Sequence, residues 1–363
     1  MDKSKIVLLH GACNTSNFGD VLFVKMFYQS VKSHGDIPTF VSNGIYRISD
    51  FNIKEINNSY KSELIKLEKL ESIKKADMLL LISGGYFGDN ERSIIASFRR
   101  WFRYFYIGLY FVIRKKDIYI LGVGGAPLYS WFNRMSAKII MNHAQKVYVR
   151  DEDTAIYFRS IGVKNQAIRV TADTALTITA KSIPELIESQ ALNDFINGRQ
   201  SILLHLTGST ESDESINRVI VPGIIRFLAT NMNTCIILSY DNVIRKSIEN
   251  TSVFQSLKSF DPYVYNYISA TQLCSLINQA DIVITSKLHV GIIGCALGKS
   301  VLSFPMHRYK TKRFYQSIGY ENRCVNFSET NEDVVYEMLV KYHDIPVIVT
   351  EDIRRMALEN LEY

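Results

Sequence analysis

The chain has 363 residues, which favours two domains over one. Hydrophobic residues make up 47% and charged residues 21%, a balance that builds an ordinary core and excludes a disordered chain. The net charge of +6 is spread along the whole length; it suits an anionic substrate or an acidic membrane surface and argues against nucleic acid, which calls for a dense basic stripe.

The start, Met1-Asp2-Lys3-Ser4-Lys5, leads into an apolar run too short for a secretory signal, and no apolar run is long enough to span a bilayer. Short apolar runs then recur, each followed by a helical pattern: Ile6–Leu9, Met78–Ile82, Ile118–Leu121 and Lys146–Val149, then Ile202–Leu206, Thr234–Leu238, Ile282–Ile284 and Ser300–Phe304. Unalternating runs separated by helices predict parallel sheets covered on both faces. The polar stretch Thr177–Gln200, which contains Pro184, interrupts the series. The fold class predicted is therefore α/β, with two Rossmann-like domains facing across a cleft, over residues 1–180 and 198–345. Residues 346–363 carry a last helix that could pack back on the first domain. The five cysteines (Cys13, Cys235, Cys274, Cys295, Cys324) are odd in number and lack metal-ligand spacing, which reads as the reduced thiols of a cytoplasmic protein.

Three loops at strand ends of the first half bring backbone close to a ligand edge. Gly11–Asp20 matches neither a dinucleotide fingerprint nor a phosphate-binding loop; Asn17 and Gly19 suit a turn, and Asp20 suits either a helix N-cap or a functional role. Gly84 and Gly85 follow the second run, and Gly124 and Gly125 the third. In Arg150-Asp151-Glu152-Asp153, an Asp-x-Asp metal site competes with an acidic first helical turn favoured by the helix dipole, and the latter is preferred. Arg150 is electrostatically misplaced at a helix start unless it meets an acid or a ligand, and Asp173 could pair with it.

In the second half, Ser286-Lys287-Leu288-His289-Val290-Gly291 lies between a buried strand and a helix of small residues. A cation and an imidazole thus stand where ligands bind in open α/β sheets, beside backbone N–H groups suited to an anion. The alternative is a histidine that only caps its helix.

Taken in order, Asn17-Phe18-Gly19-Asp20, Gly84-Gly85, Gly124-Gly125-Ala126-Pro127, Val149-Arg150-Asp151, Asp173-Thr174-Ala175, Leu288-His289 and Lys310 resemble the polysaccharide pyruvyltransferase family over residues 10–320. The resemblance implies a GT-B-like fold and the transfer of pyruvate from phosphoenolpyruvate, as co-substrate, onto a hexose as a cyclic ketal in surface glycan synthesis. Two departures fall on residues that such enzymes use for the anionic donor. Lys287 replaces an arginine, a point charge in place of a bidentate fork, and His205-Leu206-Thr207-Gly208 holds no arginine.

That chemistry needs cations for a phosphate and a carboxylate and a proton-handling group near neutrality. His289 is the expected general acid or base, and Lys287 and Lys310 hold the anions with the N–H groups of Val290 and Gly291. Asn17, Gly19, Asp20, Gly84, Gly85, Gly124, Arg150 and Asp173 line the acceptor side. No metal or cofactor is expected. The acceptor is a sugar or a lipid-linked oligosaccharide. The basic aromatic segment 99–116 fits peripheral contact with the inner membrane face, against which stands the preferred reading of a buried, sheet-covering helix with snorkelling arginines. Two other functions fit the same architecture: a glycosyltransferase using a nucleotide sugar, and a catalytically silent glycan-binding protein.

Overall fold

The computed structural model describes residues 4–11, 17–40, 71–88, 93–164, 166, 168–183, 190–206, 210–240, 248–306 and 309–363. The chain divides into two compact units. The first comprises Met1–Ser16, Asp20–Thr174 and Asp352–Tyr363; the second comprises Asn17–Gly19 and Ala175–Glu351. Cys13 and His307 lie outside the described residues.

The first unit is built on a seven-stranded sheet. Its strands are β1 (Ile6–His10), β2 (Ile37–Phe40), β3 (Met78–Leu81), β4 (Gly84–Phe87), β5 (Asp117–Gly125), β6 (Lys146–Val149) and β7 (Ile168–Val170). They run β2-β1-β3-β5-β6-β7, with β4 pairing β5, and every pairing is parallel. All four residues of β3 are buried. Because successive side chains of a strand point to opposite faces, such a run needs cover on both sides. The helices are α1 (Phe18–Ser33), α2 (Ile94–Arg100), α3 (Tyr106–Ile113), α4 (Trp131–His143) and α5 (Glu152–Ser160). Between α2 and α3, Trp101–Phe105 forms a π-helical turn.

Two expectations about the glycine loops are corrected here. Gly84 and Gly85 do not stay in a loop after β3: they pair with β5 as β4. Gly124 lies inside β5, which runs on to Gly125. Gly122 makes that extension possible. Its φ of +67° belongs to the left-handed region, and the β5–β6 register shifts between Ile120 and Val123.

The second unit carries a five-stranded parallel sheet, β8 (Gln200–Leu206), β9 (Thr234–Tyr240), β10 (Tyr263–Tyr265), β11 (Ile282–Thr285) and β12 (Ser300–Ser303), in the order β10-β9-β8-β11-β12. Its helices include α6 (Gln190–Ile196), α7 (Thr210–Val219), α8 (Val221–Thr230), α9 (Ser252–Leu257), α10 (Ala270–Gln279), α11 (Leu288–Ala296), α12 (Lys310–Ser317) and α13 (Glu332–Tyr342), while α14 (Glu351–Leu358) belongs from Asp352 on to the first unit. β11 and β12 are buried throughout, and a separate core gathers Leu204, Leu238, Ile284 and Leu302 from its strands with Phe227 and Leu339 from its helices. The α/β class with parallel sheets is the one the apolar runs predicted. Among the described residues no helix is long and apolar enough to cross a membrane. Cys235, Cys274, Cys295 and Cys324 are buried, and none of them forms a disulfide among the described residues.

The last residues of the chain are stitched into the first unit. Thr171 Oγ1 donates to Asn360 Oδ1 (2.8 Å), Asn360 Nδ2 donates to the Ala172 carbonyl (2.8 Å), and Ser30 Oγ donates to the Leu361 carbonyl (2.6 Å). The Asn360 side chain is completely buried. Asn360→Ala strips two groups of that buried net of their partner. A loss of about 2–3 kcal/mol in urea unfolding is expected, with the first unit melting at lower denaturant.

Candidate functional site

In the second unit the carboxyl ends of the central strands form a polar row. The register sets Thr285 opposite both His205 and Ser303, and His205 opposite Ser239. All four are buried, and His205 Nδ1 lies 3.2 Å from Ser239 Oγ. The parallel pairing sets the carboxyl ends of β11 and β12 at the same edge of the sheet; α11 follows the first and α12 the second. Ligands bind in α/β sheets at this kind of edge.

Lys287 is the N-cap residue of α11, with extended backbone, and its N–H donates to Thr285 Oγ1 (3.0 Å). His289 is the second residue of the helix and is half-buried. Lys310 opens α12 and is exposed; Lys312 and Arg313 follow in the same turn, and neither α11 nor α12 has an acidic residue in its first turn. A cation at the positive end of a helix dipole is disfavoured, and both helices begin with one. α12 packs on α11 at Gly291, where a Cβ would lie 2.6 Å from the Tyr315 hydroxyl.

Gly291 has a different role from the one its sequence position suggests. Its N–H donates to the Lys287 carbonyl (3.2 Å), closing the first turn of the helix, so it does not face a ligand. The N–H of Val290 precedes that ladder and points out of the helix start.

Asn17–Gly19 cluster with this unit. Asn17 Oδ1 accepts from the Gly19 N–H (3.0 Å), so Asn17, and not Asp20, takes the capping role. Asp20 falls in the first turn of α1. Gly19 is buried against His289: a Cβ there would overlap the imidazole, with Nδ1 nearest. A glycine is required so that the helix start and the ring can share the space.

In the first unit, Arg150 and Asp173 come together as their positions led us to expect. Arg150 Nη1 is 3.2 Å from Asp173 Oδ2, with 9% and 4% of the two side chains exposed. The guanidinium lies over Gly124, where a Cβ would stand 2.6 Å from its Nε. Asp151 caps α5, its Oδ1 accepting from Thr154 N–H (2.8 Å) and Oγ1 (2.7 Å). This is the helix-start reading of the Asp-x-Asp motif. Among the described residues no group of three His, Cys, Asp or Glu side chains is placed to hold a metal ion.

One group at the sheet edge was not foreseen. His10 ends β1 and is buried; its ring lies 6.2 Å from that of Tyr104, which stacks on Tyr86 at 4.9 Å. Tyr86 hydroxyl donates to the Ile82 carbonyl (2.7 Å). Burial raises the Tyr104 pKa above the ordinary phenol range, Arg103 and Arg100 lower it, and the carboxylate of Asp20 adds to the rise. Only the terminal position of His10 in an apolar run hinted at this group.

Two substitutions follow from these contacts. Gly19→Ala is expected to push the imidazole aside, seen as a shift of the His289 ring resonances while those of His205 stay in place. Arg150→Leu leaves a buried carboxylate without its cation and should cost about 3–5 kcal/mol in equilibrium unfolding.

Comparison with known proteins adds family and fold. The UDP-GlcNAc 2-epimerase of Neisseria meningitidis bound to UDP-GlcNAc superposes with a TM-score of 0.65 at 13% identity, over 98% of this chain and 99% of that one. S. aureus MnaA with UDP gives 0.63 at 13% identity, over 97% and 94%. Anabaena HepE with UDP and glucose gives 0.50 at 10% identity, over 99% and 95%. Likeness at such identities is a likeness of fold. No curated protein sequence matches the chain. The family model for polysaccharide pyruvyl transferase matches residues 17–308, which include Asn17, Gly19, Arg150, Asp173, Lys287 and His289. The chain belongs to the polysaccharide pyruvyl transferase family.

Proposed function

We propose that this chain transfers pyruvate from phosphoenolpyruvate to a sugar of a surface polysaccharide or lipid-linked precursor, forming a cyclic ketal. The observation that carries the reading is the pair of cation-led helices α11 and α12 at adjacent strand ends. Their starts suit a small donor with two anionic groups, a phosphate and a carboxylate.

In this reading Lys287 and Lys310 hold the donor anions with the Val290 N–H, and His289 carries the proton. The methylene carbon of the enol takes a proton, one sugar hydroxyl adds to the central carbon, and a second hydroxyl of the same sugar displaces phosphate. The protons lost by the hydroxyls balance the one gained by carbon and the one taken by the departing phosphate or the base. Histidine suits both directions because its ordinary pKa lies near neutrality. Gly19 fixes where the ring can stand. Asn17, Asp20, Gly84, Gly85 and the Gly124–Arg150–Asp173 group are assigned to the sugar.

A second reading, glycosyl transfer from a nucleotide sugar, draws on Lys287 standing in place of an arginine and on the nucleotides named for the UDP-bound neighbours. Phosphate release from phosphoenolpyruvate, measured beside UDP release from a panel of UDP-sugars with oligosaccharide acceptors, separates the two. Acceptor-dependent phosphate release is expected, with loss of at least a hundredfold in His289→Ala and a raised KM for phosphoenolpyruvate in Lys287→Ala. UDP release without phosphate release would transfer the assignment to the second reading. Full activity in His289→Ala would remove the histidine from the mechanism.

A further inference from the structure

We propose that the face of the first unit formed by α2, the π-helical turn and α4 docks on an anionic lipid bilayer. This does not rest on the reaction proposed above.

The face is apolar where a soluble surface is ordinarily polar. Trp131 is 71% exposed, Ile94 67% and Phe102 64%, and Ile95, Phe98 and Met135 are exposed with them. They form one patch because the two helices are held together. Phe98 stacks on Phe132 with ring centroids 4.7 Å apart, Trp131 meets Phe132 edge-on at 6.1 Å, and Trp101 Nε1 donates to Ser136 Oγ (2.9 Å). A contiguous patch of large apolar side chains marks an interaction surface, whereas scattered exposed ones do not.

The charge on the same helices selects the partner. Arg99, Arg103 and Arg134 are exposed on these elements, and Asp117 is the only acidic residue from Ser93 to Arg150. Aromatic and aliphatic groups among arginines match the boundary between acyl chains and acidic headgroups. A second copy of the chain fits less well. A two-fold contact would set these arginines near their own counterparts, with no acid on α2 or α4 to answer them.

The membrane face therefore differs from segment 99–116, which the sequence suggested. The π-helical turn splits that segment. Phe105, Ile107 and Phe111 turn into the core, while the exposed apolar groups of this face come from residues 94–102 and from α4; Ile113, also exposed, is the last residue of α3.

The test is flotation of the full chain with phosphatidylglycerol vesicles and with phosphatidylcholine vesicles at low salt. Binding to the anionic vesicles is expected, weakened in 1 M NaCl and weak on phosphatidylcholine. The doubly substituted Phe102→Ser, Trp131→Ser chain and the charge-reversed Arg99→Glu, Arg134→Glu chain should each lose at least about tenfold in partition coefficient. Tryptophan fluorescence of the unsubstituted chain gives a readout that needs no variant to fold: brominated acyl chains should quench it as Trp131 enters the boundary. Absence of binding to phosphatidylglycerol vesicles overturns the proposal, as does binding without quenching. So does a dimer that the Phe102→Ser, Trp131→Ser substitutions dissociate while vesicle binding is unchanged.

Discussion

Two helices of the second unit begin with cations at the same edge of one parallel sheet, and the functional reading depends on that electrostatic arrangement. The positive end of a helix dipole prefers an acid by a few tenths to about 1 kcal/mol. Two helices show the preferred arrangement. Asn331 caps α13, which opens with Glu332 and Asp333, and Asp151 caps α5, which opens with Glu152 and Asp153. α11 and α12 show the opposite one, with Lys287 at one cap and Lys310, Lys312 and Arg313 in the first turn of the other. A fold that places acids at some helix starts and cations at two neighbouring ones gains from the exception when an anion occupies the space. Parallel pairing of β11 with β12 sets side by side the strand ends that lead to the two helices.

The interior strands were legible because a parallel strand covered on both faces has to be apolar at consecutive positions, as β3, β8, β11 and β12 are. The strands that escaped notice are short or lie at sheet edges. β2 contains Pro38, which an edge tolerates; β7 has three residues and no fully buried one; β10 is half-buried throughout. β4 was hidden by its two glycines, which read as a loop until β5 supplies a partner.

The site was legible to the extent that each clue was local. A lysine and a histidine between an apolar strand and a small-residue helix announce themselves, and a cation at a helix start asks for an acid such as Asp173. What depends on tertiary approach could not be read along the chain. Gly19 is explained by the ring of His289, 270 positions away in the numbering, and the His10–Tyr86–Tyr104 group draws on three separate elements. Gly291 was misread because its place in the hydrogen-bond ladder depends on which residue caps the helix, and that residue is Lys287.

The two units both set a cation beside a helix start, with different exposure. At α5, Arg150 is answered from within the chain: Asp173 closes on its guanidinium at 3.2 Å, and little of either group reaches solvent. Its charge is spent on structure, and what it offers a ligand is a rigid, near-neutral wall beside Gly124. At α11 and α12 the first turns hold no acid, and Lys310 remains exposed. In the proposed reading the doubly charged donor goes to the second arrangement, because a cation locked in a buried bridge such as Arg150–Asp173 would have to give up its partner before binding an anion. A neutral sugar suits the first, where fixed donors and acceptors count for more than net charge. The proposed reading accordingly gives the donor to the second unit and the acceptor to the first.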